Sequence, residues 1–242
     1  MKLPKILLAF PTSDNKDYCL DEFLLQLSKF TYPDLNMLII DNSHKERRKF
    51  LFDKFEKYNI QSKIIYMYYY QSDLTFRELI KDCHNIIRDF ALKTNCDYVY
   101  FLESDHFTAP NTIEHLLSLK KQIVGLPYFI GSHFASMYIC SETELCGNMA
   151  LEMALTGNNG FLYTDGLLKR TYQLGFGNIL IHRSVLEKIT FRVETEGKYN
   201  VESYFDDQFF YQDCKKLGIP VYVDTANMSY HWNVHWNRLI KK

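Results

Sequence analysis

The stretch "DYVYFLESDHF" (residues 97–107) decides how the chain is read. Tyr98, Val99, Tyr100, Phe101 and Leu102 form an apolar run that predicts a buried strand. Glu103, Ser104, Asp105 and His106 follow it without a break. Charged side chains are rarely buried without a partner. A core strand that ends in two carboxylates and an imidazole has either just reached solvent or delivers groups that hold something positive.

Upstream, residues 5–10, 37–40 and 63–70 are apolar runs that read as strands. Between them, residues 21–30, 47–58 and 76–92 space their apolar side chains at helical intervals. Alternation of strand and helix predicts a mostly parallel sheet with helices on both faces. In such sheets ligands sit beyond the carboxyl ends of the strands. Those ends carry Pro11-Thr12-Ser13, Asp41-Asn42-Ser43 and Glu103-Ser104-Asp105, so three polar strand ends are expected on one rim.

Beyond Pro110 the alternation loosens. Helices are expected at 111–119, 183–189 and 206–217, and strands at 123–129, 175–182 and 219–225. Residues 131–175 are less regular. They offer a helix at 142–155, a turn at 158–160 and a hairpin around Asp165-Gly166. No internal repeat, low-complexity tract or clean linker interrupts the 242 residues, which suit one domain.

The formal charge of −1 provides no basic field for stable nucleic-acid binding. None of the six cysteines forms a CxxC pair, so they read as reduced, mostly buried thiols. The first apolar run is interrupted by Pro4 and Pro11, is too short to span a bilayer and carries no signal-peptide cleavage pattern. The chain is expected in the cytoplasm, with any membrane contact peripheral.

Three constellations carry chemistry. Glu103 and Asp105, two apart at a strand end, can point the same way, and hard cations such as Mg²⁺ or Mn²⁺ prefer oxygen ligands. Asp206 and Asp207 open a predicted helix, where one acid serves as an N-cap and the second is available as a general base. His231 lies in an aromatic tail and either packs there or completes a metal site. His235, four residues on, would share a helix face with it, but no third ligand of suitable type for zinc lies nearby.

The order and spacing of these pieces resemble nucleotide-sugar glycosyltransferases of the GT-A fold, in particular the family 2-like group. The likeness rests on "KILLAFPTSDN", "LIIDNSHKE", "NIIRDFALKTNCDYVYFLESDH", "GFGNILIHRSVLEKI", "ESYFDDQFFYQDCKKLGIPVYVDT" and "MSYHW", in that order. It covers roughly residues 4 to 235 and is weakest over 131–172.

The resemblance implies an α/β, Rossmann-like, mostly parallel central sheet with a smaller acceptor-side subregion. Residues 1–110 would form the nucleotide-binding half, and residues 111–242 the acceptor-binding half with the C-terminal histidine segment. It places Pro11, Thr12, Asp41, Arg88, Glu103 and Ser104 on a nucleoside-diphosphate sugar, UDP- or GDP-linked. Arg88 would hold that donor or orient the acidic strand end. Asp105, His231 and Glu103 would hold Mn²⁺ or Mg²⁺, and Asp207 with Asp206 would act on the acceptor, which could be a glycan, protein, lipid or modified nucleotide. The chain departs from the family pattern with Glu103 at the first DxD position and with Asp206-Asp207 where Glu-Asp is common. Inverting and retaining chemistry both stay open. The competing readings are a non-catalytic sugar- or nucleotide-binding module on a degenerate transferase fold, and a nucleotidyltransferase. The second lacks its usual glycine-rich loop in "AFPTSDNKD".

Overall fold

Alternation with period two runs through the central strands, and both faces are apolar. On the first strand Leu7 and Ala9 face one side while Ile6, Leu8 and Phe10 face the other, and all five are buried. A strand buried on both faces needs a layer of helices on each side. The computed structural model, which describes residues 3–130, 134–135, 137–139, 166–193 and 205–232, has that arrangement.

The strands are β1 (Ile6–Thr12), β2 (Asn36–Asp41), β3 (Ile64–Tyr68), β4 (Tyr98–Leu102), β5 (His106–Phe107), β6 (Ile123–Gly125), β7 (Phe129–Ile130), β8 (Phe134–Ala135), β9 (Met137–Ile139), β10 (Leu168–Leu174), β11 (Asn178–His182), β12 (Val221–Asp224) and β13 (Tyr230–His231). The helices are α1 (Leu20–Leu27), α2 (Arg48–Lys57), α3 (Phe76–Lys93), α4 (Thr112–Ser118), α5 (Arg183–Leu186) and α6 (Asp206–Lys216). A 3₁₀ helix, Asp14–Cys19, joins β1 to α1.

Nine strands form one sheet in the order β3-β2-β1-β4-β11-β6-β12-β10-β9. All run the same way except β10 and β11, which are antiparallel to their neighbours. Cys83, Ile87 and Ala91 of α3 cover one face with Val185 and Leu186 of α5 and Phe210 and Cys214 of α6. Phe23, Leu24 and Leu27 of α1, Leu51 and Phe55 of α2, and Ile113 and Leu116 of α4 cover the other. The chain leaves β1 toward β2 and β3 on one side and returns to β4 on the other. The carboxyl ends of β1 and β4 therefore flank a topological switch point, where open α/β sheets form their ligand crevice.

Several elements differ from the sequence expectation. β1 continues through Pro11 and Thr12 because β2 runs beside it to Asp41, and the Asn42 amide donates to the Thr12 carbonyl at 2.8 Å. The 123–129 run is a strand only to Gly125. Phe129–Ile130 leaves the sheet and pairs with β8. The strand expected from 175 begins at Asn178, after the Gly175-Phe176-Gly177 loop. The helix at 142–155, the turn at 158–160, Cys140 and Cys146 lie outside the described residues, as does the amino-terminal arm of the hairpin around Asp165-Gly166. Cys19, Cys83, Cys96 and Cys214 are buried free thiols. Among the described residues no helix is long and apolar enough to cross a membrane.

Helix α3 starts at a capping box, in which Thr75 accepts from the Glu78 amide and Glu78 reaches back to the Thr75 amide. Arg88 lies farther along this helix and is not brought to the rim, contrary to the expectation that it holds the donor. Its Nε donates to the carbonyls of Leu186 and Ile189, at 2.8 Å each, and Nη1 pairs with Asp89. It ties the end of α5 to α3, satisfying carbonyls that a four-residue helix cannot bond internally. Arg88→Met is expected to lower stability by about 1.5–3 kcal/mol in denaturant unfolding, the scale of hydrogen bonds to a charged group. Nucleotide affinity should not change; a matching loss of affinity would return Arg88 to the donor site.

Candidate active site

A cleft of about 300 Å³ opens at the switch point, lined by Pro11 and Thr12 at the end of β1 and Ser13 after it, Asn42 after β2, Glu103 and Ser104 after β4, and Asp206 and Asp207 of α6. Two roomier hollows, about 590 and 620 Å³, lie at the opposite ends of the strands beside Leu3 and Pro4. Convergence of titratable groups, rather than volume, singles out the first.

Asp105 sits on the floor of this region with its residue 0% exposed. Its Oδ2 accepts from Tyr18 at 3.1 Å and lies 3.2 Å from His231 Nε2, and Lys16 Nζ forms an ion pair with the same oxygen. Burial pushes this carboxyl up, but the His231 bond and the Lys16 charge outweigh it and hold the group below the usual carboxylate range. The other oxygen, Oδ1, is buried with no hydrogen-bond partner among the described residues.

His231 reaches Asp105 through backbone pairing. Strand β13 bridges β5 with His231 opposite His106, and the Trp232 amide donates to the Asp105 carbonyl at 2.8 Å. The two imidazoles stack with centroids 4.3 Å apart. His106 is fully buried, with Nδ1 3.1 Å from Ser229 Oγ; its Nε2 has no hydrogen-bond partner among the described residues and lies 3.6 Å from Glu103 Oε2. Burial first, then the His231 charge, holds it well below the normal imidazole value, so it is neutral. When Nδ1 carries the proton toward Ser229, the Nε2 lone pair is left bare, which is the form that binds a metal. Burial and the nearby Asp105 charge push the Glu103 carboxyl up.

One ligand atom each from Glu103, Asp105, His106 and His231 lies within 4.8 Å of the others. Two buried atoms without hydrogen-bond partners among the described residues, a neutral imidazole and a mixed oxygen–nitrogen donor set fit a divalent ion such as Mn²⁺.

Across the cleft, Asp206 and Asp207 occupy the first turn of α6, where the helix dipole favours negative charge. They are not equivalent. Asp206 is buried, with Oδ2 2.7 Å from His84 Nδ1. Burial opposes protonation of His84, but Asp206 outweighs it and raises the imidazole pKa. Phe101, Phe176 and Phe191 surround the His84 ring at centroid distances of 5.2–5.6 Å. Asp207 is half-buried at the cleft, with Oδ1 accepting from the Gln208 amide at 2.7 Å. Burial and then the Asp206 charge push its carboxyl up to about 7. At the mouth, Phe76 and Phe205 meet edge to face, with the Arg77 guanidinium over Phe205. Phe76 is 63% exposed.

No protein-family model matches the chain, and no curated protein does. Solved structures do. S. aureus TarS 1–349, in complex with UDP-GlcNAc, matches with a TM-score of 0.58 at 15% identity, over 96% of this chain and 60% of that one. GalNAc-T7, with UDP, GalNAc and Mn²⁺, matches with a TM-score of 0.61 at 12% identity, over 95% of this chain and 44% of that one. The chain has the GT-A fold. It spans less than two thirds of the length of either matched chain.

Within this GT-A sheet the expected residues fall into groups. Pro11, Thr12, Glu103 and Ser104 line the cleft, with Thr12 Oγ1 3.2 Å from Ser104 Oγ. Asp105 and His231 meet beside it, and Asp206 and Asp207 stand at its far wall. Asp41 sits below the rim, where both its oxygens are engaged by Ser43, the Arg47 amide and the Tyr66 hydroxyl. Lys16 and His84, to which the sequence analysis gives no role, also line the cleft, and the His106 imidazole that follows Asp105 joins the cluster. His84 lay hidden among the buried positions of α3.

Gly177 explains how the His106 ring fits. A Cβ there would lie 2.5 Å from its Cε1 and Nε2. Gly177→Ala is expected to displace the ring, cost about 1–3 kcal/mol of stability as overpacking does, and weaken Mn²⁺ binding. A Mn²⁺ titration followed by electron paramagnetic resonance, with His106→Ala beside it, checks this. Unchanged affinity in both variants removes His106 from the ligand set.

Proposed function

We propose that the chain is a metal-dependent glycosyltransferase that moves a sugar from a nucleoside-diphosphate donor, UDP- or GDP-linked, to an acceptor hydroxyl. One observation carries the reading: at the switch point of a GT-A sheet, a cluster suited to a divalent cation faces an acid whose pKa is raised into the range of a general base.

Asp105, His231, Glu103 and His106 would hold Mn²⁺ or Mg²⁺, which when bound would offset the negative charge of the departing diphosphate. Pro11, Thr12, Asn42 and Ser104 line the donor side of the cleft. Asp41 acts indirectly, by holding the Asn42-Ser43 turn and the start of α2. The acceptor enters over the lip formed by Phe76 and Phe205. Asp207 takes the proton of its hydroxyl as the new bond to the anomeric carbon forms and the bond to the diphosphate oxygen breaks with its electron pair. A general base on the acceptor is what an inverting transfer requires. Asp206 is committed to His84, and its fixed charge keeps the Asp207 carboxylate basic.

The first test is a thermal-shift screen of UDP, GDP, CDP, ADP and dTDP, each with Mn²⁺ and with chelator, since a ligand of the native state raises the melting temperature by mass action. A metal-dependent shift with UDP or GDP is expected, and Asp105→Ala should abolish it. No shift with any nucleotide would favour a binding module that has lost the donor site.

Transfer, or donor hydrolysis in the absence of acceptor, should fall about 10²–10⁴-fold in Asp207→Asn, with nucleotide affinity retained. Equal loss of both would make Asp207 a structural cap. A base works only when deprotonated, so the rate should be lost as pH falls through about 7 or, once the added cation lowers the Asp207 pKa, somewhat below it. A pH profile that stays flat there removes the base role from Asp207.

A further inference from the structure

Asp105 is loaded asymmetrically. Three donors from two segments distant in sequence, Lys16 and Tyr18 on one side and His231 on the other, converge on Oδ2, while Oδ1 is buried and has no partner among the described residues. The three are not equally anchored. Tyr18 shares its one O–H between Oδ2 and the Trp232 carbonyl, 3.1 and 2.8 Å away, and His231 is held by β13 and stacked on His106. Lys16 reaches in on a flexible four-carbon stem from the 3₁₀ helix after β1, and its side chain is 33% exposed where that of Asp105 is 0% exposed. It is also the one lysine or arginine among the described residues that line the cleft.

We propose that Lys16 is an internal counter-cation that occupies Asp105 in the metal-free protein and transfers to the donor diphosphate when a divalent ion takes its place. The inference rests on the metal-dependent reading above. Lys16 sets its ammonium directly against the buried Asp105 carboxylate. A divalent ion on the same carboxylate brings a second positive charge beside the ammonium, which is then repelled at short range. The ammonium stays in the cleft, beside Ser13, where the donor diphosphate brings new negative charge. A lysine suits this exchange, since its ammonium is a compact point charge that needs no fixed bidentate geometry. The metal-free protein thereby avoids an uncompensated buried carboxylate, and binding of cation and donor becomes mutually supportive.

The two roles make opposite predictions for one variant. In Lys16→Met, the nucleotide-free protein should bind Mn²⁺ about threefold or more tighter by electron paramagnetic resonance titration, because a competing cation is gone. The same variant should bind UDP about tenfold more weakly by calorimetry in saturating Mn²⁺, because a charge-assisted contact to the diphosphate is lost. A brace that merely shapes the site would lower both affinities, and that result overturns the proposal. Wild-type Mn²⁺ binding that Lys16→Met leaves unaltered overturns it too, while leaving the metal reading intact. Mn²⁺ binding by neither protein sinks the metal reading itself, and the exchange with it. Thermal unfolding of both proteins confirms that the comparison is between folded states.

Discussion

Burial of the Asp105 carboxylate is the constraint around which the site is assembled. An isolated charge removed from water costs far more than the net stability of a domain, so it must be met by opposite charge and hydrogen bonds. Strand β4 carries Asp105 to the sheet's edge of solvent but cannot supply those partners. They come from the turn after β1, through Lys16 and Tyr18, and from the far end of the described chain, through His231. The β5–β13 bridge and the Trp232 amide bond fix that last segment against the turn of β4. Binding chemistry and tertiary closure are thus served by the same carboxylate.

The opposite wall shows how similar residues acquire different work from their surroundings. Asp206 and Asp207 are adjacent in sequence and share a helix start. Asp206 faces inward to His84, whose ring is enclosed by three phenylalanines, and the pair is sequestered. Buried pairs of this kind add little stability but are costly to break from one side. Asp207 faces the cleft and carries the consequence, a carboxyl pushed up by burial and by its neighbour's fixed charge.

Much of the frame was legible along the chain. Double-faced apolar strands at β1, β2 and β4, separated by amphipathic helices, implied a covered parallel sheet, and polar strand ends implied one functional rim. The antiparallel insertion of β11 between β4 and β6 was not legible, because strand direction depends on pairing partners far away in sequence. Arg88 shows a second thing that spacing leaves open. An arginine on a helix before an acidic strand end suggests a ligand contact, yet a helix presents different faces at successive positions. Arg88 falls on the face that meets α5, while His84, on the same helix, lines the cleft.

Local pattern by itself determined the sheet class, the helix that begins at Asp206 and the acidic end of β4, because periodicity and composition act over a few residues. Only the tertiary structure decided that His106 is buried and neutral, that His84 rather than solvent faces Asp206, and that Lys16 sits on Asp105. Each of those depends on groups 89 to 123 residues apart in the chain. Electrostatic environment is set by distance and desolvation in space, and neither is written in the spacing of residues along a sequence.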